Sequence, residues 1–342
     1  MKKMLAILFA MVLALSMLTA CGGGAATSNE TADTEAATEA ATEAATEEVA
    51  AEEAEEEEPD TGDASLDDPL NQDEIGEKEI LVVSFGTSFN QNRVDTIGGI
   101  EKAIAAAYPD WSVRRAFTAQ IVIDHIKDRD GEEIDNVEQA LSRARENGVK
   151  ELVVAPTHLM SGNEYDELSA TLAKYQADFE KIAVSKPLLD SDDDKAAVAK
   201  ILMDVTKEYD DGETAIVFMG HGTDHPANAT YTDMEEVLRA NGGENYFVGV
   251  VHDGAEPNRD ATLAKVQEAG KYKKVVLRDM MVVAGDHANN DMGDESDPES
   301  WVSTFRAAGF ETSTVLEGLG QVPEIQQIYV DHVGAAVAEI GE

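Results

Sequence analysis

Three of the seven histidines in this 342-residue sequence stand where a β-strand should end. His221 follows the apolar run 216–219 and is flanked by Gly220 and Gly222. Glycine on both sides lets the backbone turn sharply and leaves the imidazole exposed at the strand tip. His252 closes the run 246–251 in the same manner, and His287 follows Val282-Val283-Ala284-Gly285-Asp286. Three imidazoles with a vacant coordination position suit a borderline transition ion: Co²⁺, Zn²⁺, Ni²⁺ or Fe²⁺. Convergence of the three is the assumption, because glycine-flanked histidines also cap strands for structural reasons alone. His125, inside the run Ile121-Val122-Ile123-Asp124-His125-Ile126, reads as structural, and His332, in the last helical stretch, as a surface residue. The only cysteine, Cys21, excludes a disulfide framework and a thiolate zinc site.

The elements that must carry these side chains are strands over 80–84, 112–117, 151–155, 181–185, 214–219, 246–251, 274–277 and 311–316. Most are short apolar, β-branched runs. Between several of them lie helical stretches over 93–107, 137–147, 192–209, 259–269 and 298–308. Strand and helix in alternation predict an α/β fold with parallel sheets covered on both faces, whose ligands sit beyond the carboxyl ends of the strands. The chain also repeats itself. Ser84-Phe85-Gly86-Thr87 matches Gly220-His221-Gly222-Thr223 in layout, and the path from Val154 to Gly162-Asn163-Glu164 parallels that from Leu277 to Gly285-Asp286-His287. Two related βα halves follow, 79–190 and 191–342. The second carries the metal site and a final helix over 322–340 that crosses back onto the first. A cleft between them is where a medium-sized ligand would bind.

Charge divides the chain differently. The formal net charge is −43, which argues against nucleic acid or an anionic membrane surface as partner. Lys2 and Lys3 precede an apolar run over 4–18, the layout of an export signal and short for a spanning helix. The run ends in Leu18-Thr19-Ala20-Cys21-Gly22, which looks like a bacterial lipobox. Cleavage of residues 1–20 would leave Cys21 acylated, tethering the protein to the outer face of the cytoplasmic membrane through lipid alone. An ordinary signal peptide with a chance cysteine is the simpler alternative. Residues 21–78 repeat Ala, Thr and Glu and hold 20 acids against one lysine. Like charges so spaced predict a disordered, solvated stalk.

The strings Ser84-Phe85-Gly86-Thr87-Ser88, Met219-Gly220-His221-Gly222-Thr223, Pro156-Thr157-His158 with Gly162-Asn163-Glu164-Tyr165, and Val283-Ala284-Gly285-Asp286-His287-Ala288-Asn289-Asn290-Asp291-Met292 together resemble the anaerobic sirohydrochlorin cobaltochelatases. These are single-subunit class II tetrapyrrole chelatases related in fold to ferrochelatase, and the resemblance covers essentially all of 79–342. It implies two flavodoxin-like domains with a tetrapyrrole held between them. His221 and His287 fall on the family's metal-binding, proton-accepting histidines. The family's third ligand is a glutamate in a Val-Glu-Gly string. Here the chain reads Val251-His252-Asp253-Gly254, so a neutral imidazole replaces a carboxylate, and Asp253 or Glu256 would have to compensate. Asp286 is placed to orient His287, or else to form the turn. Ser84, Phe85, Gly86, Thr87, His158 and Glu164 would contact the macrocycle. The implied reaction is insertion of Co²⁺ into a sirohydrochlorin-type ring, with imidazoles receiving the pyrrole protons. Export and the His252 exchange support the alternative, an extracytoplasmic carrier of haem or metal without turnover. A homo-oligomer is compatible with either.

Overall fold

The computed structural model describes residues 61–341. The export signal, Cys21 and residues 22–60 of the stalk lie outside them. Eight strands form two sheets: β1 (Lys78–Ser84), β2 (Ser112–Phe117), β3 (Glu151–Pro156) and β4 (Lys181–Val184) in one, and β5 (Thr214–Gly220), β6 (Tyr246–Val250), β7 (Lys274–Asp279) and β8 (Glu311–Val315) in the other. The orders are β2-β1-β3-β4 and β6-β5-β7-β8, every pairing parallel. The second sheet thus repeats the first strand for strand, as the sequence repeat predicts. Each sheet changes direction of growth between its first and third strands, the switch point where crevices form.

Ten helices cover these sheets: α1 (Asn90–Asp95), α2 (Ile97–Ala107), α3 (Gln120–Asp130), α4 (Val137–Glu146), α5 (Asn163–Tyr175), α6 (Asp192–Thr206), α7 (Ala229–Ala240), α8 (Arg259–Ala269), α9 (Trp301–Ala307) and α10 (Pro323–Gly341). Alternate strand residues bury on opposite faces, as the apolar runs require. Ile80, Val82 and Val153 share one core with Ile216, Phe218 and Val248, so the inner faces of both sheets close on the same layer of α2, α6, α7 and α10. The outer faces have separate cores. Leu81, Val83 and Leu152 pack on α4 and α5, and Ala215, Val217 and Leu277 pack on Trp301 and Phe305 of α9. The last helix does cross back: Tyr329 Oη donates to the Thr157 carbonyl at 2.9 Å, and Tyr108 Oη donates to the Val330 carbonyl at 3.1 Å.

The stretch expected as one helix over 93–107 breaks at Thr96, whose hydroxyl donates back to the Asn92 carbonyl at 2.5 Å. The expected stalk also ends earlier than its charge suggests. Residues 61–77 pack along the first sheet: Leu70 O accepts the Arg115 amide, Gln72 donates to Val113 O, and Asp67 is buried between Arg93 (2.5 Å) and Arg115 (2.6 Å). Charge counting treats every carboxylate as solvated, and Asp67 is not, because two buried guanidiniums neutralise it. His125 is exposed on α3, outside any core. His332 is no free surface residue, since its ring bridges Asp194 and the Lys186 carbonyl, each at 3.1 Å.

Candidate metal centre

The chain leaves β5 through Gly220-His221-Gly222, and neither glycine is replaceable there. A Cβ on Gly220 would lie 2.1 Å from the Tyr231 ring. One on Gly222, whose φ is +84°, would lie 2.8 Å from Val250 Cβ. The turn carries His221 over the neighbouring strand end, where its carbonyl accepts the His252 amide at 2.7 Å. The two rings are 5.6 Å apart between centroids, and the His287 ring lies 4.9 Å from that of His221. The structure therefore brings together the three imidazoles that the sequence singled out, all half-buried.

Two of the three rings, those of His221 and His287, are fixed by hydrogen bonds at Nδ1. His221 Nδ1 meets the Gly222 carbonyl at 2.7 Å. A carbonyl only accepts, so Nδ1 carries the proton and Nε2 keeps its lone pair. His287 Nδ1 is held by the Asp291 carboxylate at 2.7 Å, again leaving Nε2 as donor to an ion. Burial pushes the His221 pKa below its ordinary value, the Gly222 carbonyl opposes this, and the neighbouring imidazoles add to the depression. The ring is neutral at neutral pH, the form a metal requires.

The residue that orients His287 is Asp291 and not Asp286. Asp286 is exposed and accepts from Asn290 Nδ2 at 2.6 Å. Asp291 was present in the quoted motif without a role. Its signal was the spacing of four residues from His287, which places both on one face of the single π-turn Ala288–Met292. The expected compensating acids do not serve either. Asp253 and Glu256 are exposed, and the Glu256 carboxylate is taken up by the Asn258 amide and side chain, each at 2.9 Å. The carboxylate whose charge does bear on His221 is Glu164, from the first turn of α5 in the other half.

Among the first-half residues, Phe85 is 50% exposed at the end of β1. Gly86 has φ +104°, because a Cβ would strike the Phe117 ring at 2.6 Å. Thr87 packs against Gly285 of the opposite half. Ser84 is buried and accepts from Thr157 Oγ1 at 2.7 Å, so its hydroxyl is already engaged. His158 is 9% exposed with neither ring nitrogen hydrogen-bonded, and burial pushes its pKa down to about 4. It is a neutral imidazole packed behind the cleft wall.

The family model described as cobalt chelatase (CbiK) matches residues 78–338, spanning both halves and all three histidines. The chain belongs to the cobalt chelatase family. Its enzyme class is that of a chelatase, a lyase that handles a metal ion as substrate. The sirohydrochlorin cobaltochelatase of Salmonella typhimurium (strain LT2) is 33% identical over 260 residues, covering 76% of this chain and 96% of the relative. The sirohydrochlorin cobaltochelatase CbiKC of Nitratidesulfovibrio vulgaris (strain Hildenborough) is 30% identical over 267 residues, covering 78% and 92%. Among solved structures, SirB from Bacillus subtilis with Fe³⁺ superposes with a TM-score of 0.54 at 14% identity, over 78% of this chain and 98% of that one. That likeness establishes the fold. The histidine cluster thus lies at the carboxyl side of the second sheet, with His221 and His252 just beyond the ends of β5 and β6.

Proposed function

We propose that the chain inserts Co²⁺ into a sirohydrochlorin-type tetrapyrrole. His221, His252 and His287 hold the ion, and His221 and His287 receive the two pyrrole protons that leave as the dication enters. The observation that carries this reading is the packing of three imidazoles within 5.6 Å centroid to centroid of a central His221. Neutral imidazoles bind the ion first. Each one that releases it to the ring becomes free to take a proton, which then passes to solvent at the cleft mouth. Glu164 stabilises the protonated form of His221 from across the cleft. Phe85 offers the macrocycle an apolar face, Gly86 and Thr87 shape the floor beside it, and Ser84 and His158 support that floor from behind. That both relatives are sirohydrochlorin cobaltochelatases supports this macrocycle class and metal.

His252 is the observation that favours a second reading, a tetrapyrrole or metal carrier. A site of three neutral ligands lacks the carboxylate that would draw the dication in and help accept protons. The proposed lipid anchor at Cys21, on the outer face of the cytoplasmic membrane, also separates the protein from a cytoplasmic biosynthetic route. The halves are assigned to 79–190 and 191–342. Among the described residues, no helix is long and apolar enough to cross a membrane.

One assay decides between the readings. The protein is mixed with excess sirohydrochlorin and Co²⁺, and separately with haem, while the visible spectrum is recorded. Many equivalents of metallated product per protein are expected. A shift that stops at one equivalent would replace the enzyme by the carrier, and no shift with either ligand would overturn both.

A further inference from the structure

The internal repeat brings the halves together twice at the cleft mouth, through equivalent loops, and the two contacts differ in kind. On one rim the loop after β1 meets the loop after β7. There Asn92 Oδ1 accepts the Ala284 amide at 2.9 Å, and Thr87 Oγ1 lies 3.0 Å from where a Cβ on Gly285 would stand. Thr87 and Ala284 are 5% and 2% exposed, so this rim is a buried seam. On the other rim the loop after β5 meets the first turn of α5, which follows β3. Asn163 Nδ2 donates to Asp224 Oδ1 at 2.8 Å and lies 3.5 Å from Thr223 Oγ1. His225 Nδ1 accepts the Ala227 amide at 3.1 Å, so Nε2 carries the proton and faces Asp166 Oδ2 at 3.5 Å. Asn163, Asp166 and Asp224 are all exposed.

We propose that Asn163, Asp166, Asp224 and His225 form a clasp across the cleft mouth, which parts to admit a flat macrocycle and closes behind it. Exposed polar contacts add little stability, so this rim separates at small cost. The seam cannot part in the same way without exposing packed backbone. The clasp also stands directly over the chemistry: Asp224 is three residues beyond His221, and Asn163 immediately precedes Glu164. Parting it draws the β5 loop away from α5, and re-forming it returns Glu164 to the reach of His221. The four residues are positioning residues that govern macrocycle entry and leave the imidazole cluster itself intact. The inference rests on the reading that a tetrapyrrole occupies this cleft.

The test uses the full-length chain and two variants that conserve net charge. Asn163→Ala removes the clasp's donor. The swap of Asn163→Asp with Asp224→Asn keeps one donor and one acceptor. Metal-free sirohydrochlorin association is followed by stopped-flow absorbance, and binding of Co²⁺ alone by its visible bands. Asn163→Ala is expected to speed association about threefold, and the swap to return it to the wild-type rate. Co²⁺ affinity should stay within about twofold throughout. An unchanged rate in Asn163→Ala, or a swapped pair as fast as Asn163→Ala, overturns the clasp. Wild-type protein that binds Co²⁺ but never sirohydrochlorin overturns the tetrapyrrole reading, and the clasp with it.

Discussion

The loops after β1 and β5 share a backbone and differ in chemistry. Ser84-Phe85-Gly86-Thr87 and Gly220-His221-Gly222-Thr223 both turn at a glycine of positive φ, +104° and +84°. In each, a Cβ would strike a side chain of the adjacent strand, Phe117 in β2 or Val250 in β6. The scaffold position taken by a phenyl ring in one half holds an imidazole in the other. The same exchange recurs after β3 and β7, where Asn163-Glu164 stands against Asp286-His287. A duplicated fold presents two sets of loops, and in the proposed reading one set holds the ion while the other meets the ring. The largest expected effect tests this division. His221→Ala or His287→Ala should lower metal insertion about 100- to 10,000-fold and abolish the Co²⁺ bands. Phe85→Ala should weaken macrocycle binding about tenfold and leave those bands unchanged. Loss of Co²⁺ binding in Phe85→Ala would break the division of labour.

The halves differ as much in how they are held together. Fully buried Arg93, Arg114 and Arg115 sit in the first half, paired with Asp67, Glu79 and Glu101. The second half has Asp279, fully buried at the end of β7. Burial pushes its pKa well above its ordinary value, against weaker opposition from the Met281 amide and Arg278. Its carboxyl makes no well-formed hydrogen bond. Removing Asp67 leaves two guanidiniums short of a partner where water does not reach. Asp67→Ala should therefore cost about 3–5 kcal/mol in urea unfolding. A change below about 0.5 kcal/mol, the usual size for a surface site, would show that residues 61–77 contribute no anchoring.

The contrast also explains what the sequence disclosed. The central strands are legible because both of their faces are buried, so their apolar runs are continuous, whereas β8, with only Thr312 buried, shows itself by its β-branched residues alone. Helices α3, α5 and α7 pass unseen for the opposite reason. α3 buries only Ile123 and Ile126, and α5 only Leu168 and Leu172, too few to set a period against their charged neighbours. α7 buries Thr230 and Glu235 beside Tyr231, Met234 and Leu238, which blurs its apolar stripe. His221 and His252 are legible because each follows a run that must be a strand, whereas the run before His287 is not a strand, since β7 ends at Asp279. The supporting partners are not legible. Asp67, Asn163 and Asp224 are acids and amides in an acid-rich chain, and only tertiary structure separates a carboxylate that holds something from one that keeps the surface wet.

The residue before each loop's functional side chain gives the smallest and sharpest contrast. Asn163 precedes Glu164 and Asp286 precedes His287; Asn163 Nδ2 donates to Asp224 and Asp286 Oδ1 accepts from Asn290, while Asp286, His287 and Asp291 keep ligand-capable atoms within 4.8 Å of one another. The group that fixes His287 is Asp291, four residues on, at 2.7 Å from Nδ1. Replacing it by asparagine keeps the shape but removes the charge that makes the ring a stronger donor and holds its tautomer. Asp291→Asn should weaken Co²⁺ binding about 10- to 100-fold, whereas Asp286→Asn should change it by less than about twofold. A larger loss from Asp286→Asn, measured by Co²⁺ titration, would return the orienting role to the residue beside the ligand. The equivalence of the two turns would then end at His287.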